Sequence, residues 1–484
     1  MNLLAILAEH ARQDPGRLAI IDGPRRLSYS ELYGLIRGFA AELSRQGLGP
    51  GGRALLFVPM SVELYVAFLA ALYLGATVVF IDPGLGRAGV ASAAARVAPD
   101  VLIAVPKVVW LRWLVPSLRR IPRVISVGRR FLGAISPRAD GDPHALPASS
   151  PALLTFTSGT TGAPKATIRS HAFLVAQHQA LQEILHLGPA DVDMPGLPVF
   201  VLNALAAGST CVIPPIGARV ADVAGETLYE LVQSAGVTTA EGSPVLFQSL
   251  GAAAEKRRAP LPSVRGLFMG GAPVLPAIHE RLLPWLPSGD SVVVYGSTEA
   301  EPISAASGRH EALATAPASA RGEGLCVGRP VGSVRVRLHD DEVLVSGAHV
   351  NETYENDPDA VARFKVRDPD GTVWHRTGDA ARLDDDGRLW ILGRVEHRFE
   401  RSGVRLYPTA LEVAARSQAG VSQAAVLEHQ GRLTLVVEGD SVDEAALGRL
   451  HPAIDTVRRL RKIPTDRRHN AKIDYAALRQ SLAH

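Results

Sequence analysis

A loop rich in glycine and hydroxyl groups is the part of the sequence best suited to chemistry. The segment Thr155–Lys165 reads TFTSGTTGAPK and follows the apolar residues Leu153 and Leu154. Gly159 and Gly162 permit a tight backbone path, and the polar residues around them can bind a polyphosphate. These polar residues are Thr157, Ser158, Thr160, Thr161 and Lys165. The spacing differs from that of a Walker loop, and on the residues alone a plain polar turn is the alternative.

As a whole, this string resembles the signature loop of the adenylate-forming superfamily, which includes acyl-CoA synthetases, luciferases and peptide-synthetase adenylation domains. Further motifs of that family follow in the family's order along essentially the whole chain. They are GGAP at Gly270–Pro273, YGSTEA at Tyr295–Ala300, RTGD at Arg376–Asp379, the pair Gly393 and Arg394, and RHNAKIDYAAL at Arg468–Leu478. The resemblance implies an enzyme that uses ATP and Mg2+ to convert a carboxylic acid into an enzyme-bound acyl-AMP.

Two of these motifs are expected to hold the adenine ring. In the family the GGAP segment lines the adenine pocket, which here assigns Gly271, Ala272 and Pro273 to that pocket. Glycine lets the backbone approach a flat ring closely. The resemblance also implies that the ring of Tyr295 stacks on adenine, with Gly296 beside it. Taken alone, the GGAP segment would be an ordinary turn.

The remaining motifs are expected to hold the phosphates, the metal ion and the ribose. By resemblance, Thr298 contacts phosphate, Glu299 binds Mg2+, and Arg394 lies near ribose or phosphate. Asp379 is expected to accept hydrogen bonds from both ribose hydroxyls, which one carboxylate can do at once. Lys472 matches the catalytic lysine that bridges the α-phosphate and the substrate carboxylate. A placed ammonium stabilises the negative charge that builds up in that transition state.

Two fates of the acyl group are compatible with the sequence. Gly403 resembles the glycine that leaves room for a pantetheine arm, which implies transfer to the thiol of coenzyme A or of a phosphopantetheine carrier protein. Here the sequence departs from the family pattern, which usually has a lysine near position 400, where this chain has Glu400. Segments Gly196–Gly208 and Gly322–Val331 and the RHNAKI string instead resemble olefin-pathway β-lactone synthetases, in which the hydroxyl of a 3-hydroxyacyl-AMP displaces AMP. We expect thiol transfer of a fatty or 3-hydroxy acid because it is the commoner fate, with lactone closure as the alternative.

A third interpretation comes from a different functional class. The chain could be a non-catalytic nucleotide-binding protein on the same fold, since fold does not determine function. The joint presence of the predicted phosphate, metal, ribose and catalytic residues argues against it. Those residues are Lys165, Glu299, Asp379, Arg394 and Lys472.

The elements that must position these motifs alternate as in an α/β protein. Helical periodicity at Glu31–Gln46, Val62–Leu74 and Ala172–Leu187 is interleaved with short apolar runs rich in β-branched residues. Runs of this kind are typical of strands buried on both faces of a sheet. The apolar stretch Leu64–Ile81 is interrupted by Gly75, which predicts a buried helix followed by a buried strand and no membrane span.

The pattern changes towards the C-terminus. From Val327 short alternating segments predict a β-rich subdomain, and the segments beyond Gly393–Glu396 predict a compact α+β domain. We therefore predict an α/β fold, with a large multi-layer N-terminal domain at 1–394 that binds ATP and the acid. A small α+β domain would occupy 395–484. The resemblance implies that this C-terminal domain is a mobile lid that rotates about a hinge after adenylation.

The bulk composition narrows the functional class. The chain has 484 residues, of which 47% are hydrophobic and 20% charged, as in ordinary globular proteins of two or more domains. A formal net charge of +3 with dispersed basic residues gives no reason to expect nucleic acid as a partner. The two cysteines, Cys211 and Cys326, and the absence of a secretory signal predict a cytoplasmic protein.

One basic cluster stands out near the C-terminus. It consists of Arg458, Arg459, Arg461, Lys462, Arg467 and Arg468. Two interpretations stay open. The cluster could bind the phosphates of coenzyme A or an acidic carrier protein, or it could be a solvated helix end.

Overall fold

The chain divides into two compact units, each assembled from separate stretches of sequence. The computed structural model describes residues 3–157, 165–216, 223–401, 403–465 and 473–482. The first unit consists of Met1–Gly217, Thr298–Glu301 and Ala348–Arg367. The second consists of Ala218–Ser297, Pro302–Gly347 and Asp368–His484.

The strands and helices are numbered here along the chain. The strands are β1 (Leu18–Asp22), β2 (Arg25–Ser28), β3 (Arg53–Phe57), β4 (Thr77–Phe80), β5 (Val101–Ala104), β6 (Arg123–Ser126), β7 (Pro151–Thr157), β8 (Lys165–Ser170), β9 (Val192–Pro195), β10 (Thr210–Val212), β11 (Thr239–Gly242), β12 (Gly266–Met269), β13 (Asp290–Ser297), β14 (Ala300–Ser307), β15 (Leu325–Pro330), β16 (Arg335–His339), β17 (Glu342–Ser346), β18 (Lys365–Arg367), β19 (Val373–Leu383), β20 (Leu389–Arg394), β21 (Phe399–Arg401), β22 (Val404–Leu406), β23 (Val421–His429), β24 (Arg432–Gly439) and β25 (Thr456–Arg459). The helices are α1 (Leu3–Gln13), α2 (Tyr29–Arg45), α3 (Val62–Tyr73), α4 (Gly86–Val97), α5 (Pro106–Leu111), α6 (Pro116–Arg119), α7 (Phe131–Ala134), α8 (His171–Leu185), α9 (Pro198–Ala207), α10 (Gly225–Ala235), α11 (Pro244–Arg257), α12 (Pro276–Leu282), α13 (Ala316–Ala320), α14 (Pro358–Phe364), α15 (Pro408–Arg416), α16 (Glu444–Gly448) and α17 (Tyr475–Leu482).

The first unit contains a six-stranded sheet that carries the start of the predicted phosphate loop. Its order is β6-β5-β3-β4-β7-β8, and its pairs are parallel except for β7 with β8. Alternate residues enter two different hydrophobic clusters, with Leu56 and Ile103 in one and Leu55 and Leu102 in the other. Both faces of the sheet are therefore buried, as the apolar runs predict. Strand β7 leads into the loop, and β8 begins at Lys165.

The apolar stretch that could suggest a membrane span is a helix followed by a strand. Helix α3 is buried along its length, and β4 pairs with β3 and β7. Gly75 separates them with a φ of +75°, a conformation that is strained for residues with a side chain. The prediction of a buried helix and a buried strand is confirmed. No helix in the described ranges is both long and apolar enough to cross a bilayer.

The second unit brings the adenine motifs to one sheet edge and contains the β-rich part. Strands β11, β12 and β13 are parallel, so their carboxyl ends lie at the same edge and GGAP follows β12 there. From β15 onward the sheet is antiparallel, in the order β16-β17-β19-β20-β15. The predicted change to short alternating strands near Val327 is confirmed.

The C-terminal part has a three-stranded sheet with a helix packed on each face. Its order is β23-β24-β25. Leu411 of α15 packs against Val426 and Leu435 on one face, whereas Leu478 of α17 packs with Val436 on the other. The predicted mixed α/β fold with a small α+β part near the C-terminus is thus confirmed, whereas the domain boundary at residue 394 stays a prediction. Cys211 and Cys326 are both buried.

Candidate active site

Part of the predicted site lies outside the described residues. This applies to Ser158, Gly159, Thr160, Thr161, Gly162 and Lys472. Thr157 is the last residue of β7 and Lys165 the first of β8, so the described strands bracket the predicted phosphate loop. The assignments of the undescribed residues stay predictions from the family resemblance.

A buried carboxylate surrounded by cations lies in the first unit. We call it the lysine–carboxylate cluster, and it consists of Lys165, Arg169, Glu299, Tyr354 and Lys365. The side chain of Glu299 accepts a hydrogen bond of 3.1 Å from the Tyr354 hydroxyl, and Glu299 is only 8% exposed. Burial, reinforced by Glu299, raises the pKa of Tyr354, so Tyr354 remains a hydrogen-bond donor at physiological pH.

The two lysines of this cluster lie against aromatic rings. The Lys165 Nζ atom is 3.4 Å from the ring centroid of Phe364, and the Lys365 Nζ atom is 4.8 Å from that of Tyr354. Lys365 also donates a hydrogen bond to the backbone oxygen of Asn351. Burial lowers the pKa of Lys365 to about 7, with Glu299 opposing the shift and Lys165 adding to it. Both ammonium groups thus lie over aromatic faces, whose quadrupole attracts a cation.

Arg169 contributes a third cation. It is 4% exposed, and its guanidinium donates a hydrogen bond of 2.7 Å to the backbone oxygen of Thr298. Burial lowers its pKa, an effect that Glu301 and Glu299 oppose. The cluster therefore surrounds Glu299 with positive groups, which suits a site that must accept phosphates.

The chemistry of this donor set fits a magnesium ion bound together with phosphates. Among the described residues no group of three or more His, Cys, Asp or Glu side chains could hold a metal on its own. Mg2+ usually keeps several waters and binds through one or two carboxylates plus substrate phosphates. Glu299 supplies one such carboxylate and would hold the ion there.

A second group of predicted residues meets in the second unit. We call it the ribose cluster, and it consists of Tyr295, Asp379 and Arg394. The Tyr295 hydroxyl donates to one oxygen of Asp379 at 2.9 Å, and the Arg394 guanidinium donates to the other oxygen at 2.9 Å. Asp379 and Arg394 are direct cross-strand partners on β19 and β20. The carboxylate keeps spare lone pairs for further donors.

Gly378 and Gly271 are positions that suit glycine for different structural reasons. At Gly378, which has a φ of +74°, a Cβ would come within 2.8 Å of the Arg394 guanidinium. Only glycine leaves the arginine its place beside Asp379. At Gly271 a Cβ would meet nothing within 4 Å, so the space in front of this predicted adenine contact is open. Ala272 and Pro273 follow it, and Gly296 is part of β13.

Three residues of the lysine–carboxylate cluster are absent from the predicted set. Arg169 could have been found, because Lys165 and Arg169 lie four positions apart on β8 and so share a face. Tyr354 lies beyond the recognised motifs. Nothing in the sequence marks Lys365 as a site residue either, because most lysines are exposed on the surface. For Thr298 the structure shows only the contact of its backbone oxygen.

Most of the segment Gly196–Gly208, which resembles the β-lactone synthetases, is helical. It forms α9, from Pro198 to Ala207, and most of that helix is buried. A cavity of about 10 Å3 lies between α8 and α9, and this is room for about one water molecule. His178 and Asn203 line it and are joined at 2.7 Å. This cavity is too small for an acyl chain, so the acid pocket stays a prediction.

Gly393 of the predicted Gly393–Arg394 motif is closely packed, whereas Gly403, the glycine expected beside a pantetheine arm, is not. A Cβ at Gly393 would come within 3.2 Å of the backbone of Thr409 at the start of α15. Gly403 has a φ of +74° with open space around it. Nearby, Tyr475, three positions after Lys472, donates a hydrogen bond to the buried Glu412. Its ring contacts that of His397 at 4.8 Å between centroids.

Comparison with known proteins identifies the family. The model of the AMP-binding enzyme family matches residues 7–353. The chain is 32% identical to an olefin beta-lactone synthetase of Stenotrophomonas maltophilia, over 88% of this chain and 85% of that protein. It is 31% identical to the olefin beta-lactone synthetase of Xanthomonas campestris pv. campestris, over 98% and 96%. It is also 29% identical to 4-coumarate--CoA ligase 5 of Oryza sativa subsp. japonica, over 85% and 79%.

A solved structure supports the fold. The amide bond synthetase McbA from Marinactinospora thermotolerans superimposes with a TM-score of 0.84, at 22% identity, over 99% of each chain. The match covers residues of both units and supports the mixed α/β fold.

Proposed function

The chain belongs to the AMP-binding enzyme family, and from that premise we propose that it is an ATP-dependent acid ligase that forms an acyl-AMP. The carboxylate oxygen of the acid attacks the α-phosphorus of ATP, and the bond to pyrophosphate breaks. The observation that carries the proposal is the lysine–carboxylate cluster, in which the buried Glu299 interacts electrostatically with Arg169 and Lys365. Lys165 lies over the ring of Tyr354, the hydrogen-bond donor of Glu299, at 5.7 Å from its centroid. A magnesium ion there would neutralise phosphate charge during the transfer.

The chain's own residues divide the work. Lys165, Arg169 and Lys365 would attract and orient the phosphates, and Glu299 would hold the metal. Asp379 would accept hydrogen bonds from the ribose hydroxyls while Arg394 and Tyr295 keep its carboxylate in place. Lys472 would neutralise the charge that develops between the attacking carboxylate and the α-phosphate.

For the second half-reaction, we give priority to lactone closure. The hydroxyl oxygen of a 3-hydroxyacyl-AMP attacks the carbonyl carbon, the bond to AMP breaks, and the hydroxyl proton is released to solvent. Two relatives named olefin beta-lactone synthetases match at 31% and 32% identity over most of the chain. An intramolecular hydroxyl needs mainly correct orientation.

Thiol transfer is the second candidate, and one specific observation favours it. At Gly403 a Cβ would meet nothing within 4 Å, which agrees with the pantetheine role that the family resemblance gives this glycine, and a coenzyme A ligase is among the relatives at 29% identity. In this reaction the thiol sulfur attacks the same carbonyl carbon, the bond to AMP breaks, and the thiol proton is released to solvent. Coenzyme A and a carrier protein are alternative thiol donors.

One assay tests both steps. The protein is incubated with ATP, Mg2+ and straight-chain, 3-hydroxy or aromatic acids, with and without coenzyme A. We expect acid-dependent release of pyrophosphate. With a 3-hydroxy acid and no thiol, AMP and a β-lactone should both appear. Coenzyme A dependence with thioester product would support the second candidate. No pyrophosphate with any acid would contradict the proposal, and a Lys472→Ala variant serves as the background.

A further inference from the structure

A short surface segment of the first unit exposes an unusual amount of apolar surface. Trp110 is 82% exposed, Trp113 60%, Leu114 56% and Leu111 44%. In the part of the chain that the structure describes, the other large exposed apolar residues are Leu383 and Val404. Four of six such residues thus lie within five consecutive positions. Exposed apolar patches of this kind mark sites of interaction.

The core holds this segment in place while its tryptophans point outward. Trp110 and Leu111 end α5, and Trp113 and Leu114 lie in the tight turn that follows. Val108 and Val109 of the same helix pack against a hydrophobic cluster that includes Val115 and Leu118. Arg87 donates a hydrogen bond of 3.0 Å to the backbone oxygen of Leu114. The exposed face is therefore held by a packed opposite face.

The surrounding charge is entirely positive. Residues 101–139 contain eight Lys and Arg residues and no Asp or Glu, whereas the net charge of the whole chain is only +3. Taking +8 from +3 leaves −5 for the rest of the chain, so the segment differs in sign from its context. Arg112 lies over the Trp113 ring, 4.9 Å from its centroid. Arg119 and Arg120 follow in and after α6, exposed to solvent.

We propose that Trp110, Leu111, Trp113 and Leu114, with the basic residues around them, dock this protein onto the surface of an anionic lipid bilayer. Tryptophan suits the boundary between headgroups and acyl chains because its ring is large and apolar yet carries a polar N–H. Shallow insertion of apolar side chains and attraction of basic residues to anionic lipids strengthen each other. Neither requires a membrane-spanning helix. The proposal does not depend on the catalytic one, because the proposed catalytic residues lie outside this segment.

Charge and size favour a lipid surface over a protein partner. A stable protein interface needs about 800 Å2 per partner with a shaped, largely neutral core. Here the apolar part is limited to four side chains in five positions, and every charged residue of the segment 101–139 is basic. A bilayer with anionic headgroups accepts such a segment without a shaped counterpart.

The test is binding of the full-length protein to sedimented vesicles. The vesicles are phosphatidylcholine alone or an equimolar mixture of phosphatidylcholine and phosphatidylglycerol. We expect the wild type to bind the mixed vesicles, to be released by high salt, and to show a blue-shifted tryptophan emission on binding. Trp110→Ser/Trp113→Ser and, separately, Arg119→Glu/Arg120→Glu should each lower the partition coefficient at least about tenfold.

Two matched controls distinguish binding by this segment from nonspecific adsorption of the protein to vesicles. Leu383→Ser/Val404→Ser removes the exposed apolar residues elsewhere, and Arg458→Glu/Arg461→Glu makes the same charge change in the other basic cluster. Both should bind like the wild type, and pyrophosphate release in vesicle-free buffer should be unchanged in the tryptophan variant and in the Arg119/Arg120 variant. If the tryptophan variant bound the mixed vesicles as strongly as the wild type, the proposal would be overturned. A wild-type dimer that becomes monomeric in that variant without any binding to vesicles would overturn it as well.

Discussion

The lysine–carboxylate cluster and the ribose cluster hold their charges in different ways. In the first, Glu299 is 8% exposed and accepts a hydrogen bond from the neutral hydroxyl of Tyr354. In the second, Asp379 forms a direct ion pair of 2.9 Å with Arg394, whose side chain is 44% exposed. One carboxylate is held among buried and partly buried cations, and the other is neutralised by a single partner near the surface.

This difference indicates what each cluster can contribute to the reaction. Buried charges act through a low local dielectric and are worth most where charge changes during the reaction. An ion pair near the surface is screened by solvent and contributes mainly to positioning. The lysine–carboxylate cluster should therefore affect the rate of adenylation, whereas the ribose cluster should affect the affinity for ATP.

The largest expected effect is that of Lys472→Ala. Removing the ammonium that meets the developing charge should slow acyl-AMP formation by roughly a hundredfold or more, with ATP affinity nearly unchanged. The measurement is single-turnover pyrophosphate release, with ATP binding followed by calorimetry. Lys462→Ala serves as the matched control. An unchanged rate would remove the transition-state role from Lys472.

Glu299→Gln tests the rate assignment of the lysine–carboxylate cluster. The amide keeps the shape but loses the charge that would hold Mg2+, so kcat should fall by about a hundredfold. Glu352→Gln, an exposed carboxylate nearby, should behave like the wild type. If Glu299→Gln raised only KM for ATP, the distinction between the two clusters would fail.

Asp379→Ala tests the affinity assignment of the ribose cluster. Losing charged hydrogen bonds to the ribose should raise KM for ATP by about tenfold, because such bonds contribute roughly 1.5–3 kcal/mol. The rate at saturating ATP should change less. The decisive control is 2′-deoxy-ATP. The wild type should bind 2′-deoxy-ATP more weakly than ATP, whereas the variant should bind the two nucleotides equally well. Equal discrimination in both proteins would contradict the ribose contact.

Lys365→Met should change activity and stability in different directions. Pyrophosphate release should fall by about tenfold because a cation near the phosphates is lost. Stability should stay within about 1 kcal/mol or rise, since burying an ammonium is costly. Thermal unfolding of both proteins measures the second effect. A large loss of stability with full activity would make Lys365 a purely structural residue.

The last prediction concerns stability and not catalysis, and it involves Glu412, a buried carboxylate with Arg416 as a nearby cation. Its hydrogen bonds come from Tyr475 and from the Val426 amide, and burial raises its pKa from 4.5 to about 7, with Tyr475 opposing the shift. A carboxyl whose folded pKa is raised contributes stability that is present below about pH 4.5 and lost as the pH rises through 7. Wild-type stability should therefore drop by up to about 3 kcal/mol more than that of Glu412→Gln between pH 4.5 and 8. Parallel unfolding curves for the two proteins would contradict the shift.

The sequence predicts elements well where periodicity and caps agree. Helix α8 is predicted from Ala172 and begins at His171, where the side chain of Ser170 caps it. Helix α9 is missed, because its uniformly apolar residues show no polar face from which to infer a period. The exposed segment around Trp110 is also missed, since an apolar run ordinarily indicates core and only tertiary packing decides exposure.

The candidate site is predicted in part, for a physical reason. Asp379 and Arg394 are named from motifs, and the pairing of β19 with β20 brings them together. Tyr354 and Lys365 are not predicted from the sequence, because their proximity to Glu299 depends on how distant stretches fold into the first unit. Long-range contacts of this kind leave no local pattern in one sequence.

The most direct test of the central claim is acid-dependent exchange of labelled pyrophosphate into ATP. The wild type is assayed with Mg2+ and a series of fatty and 3-hydroxy acids, in the absence of coenzyme A. Formation of a bound acyl-AMP predicts exchange that requires both the acid and Mg2+ and that is lost in Lys472→Ala. If ATP bound normally and no acid supported exchange, the protein would bind nucleotide without catalysing adenylation, and the account would be wrong.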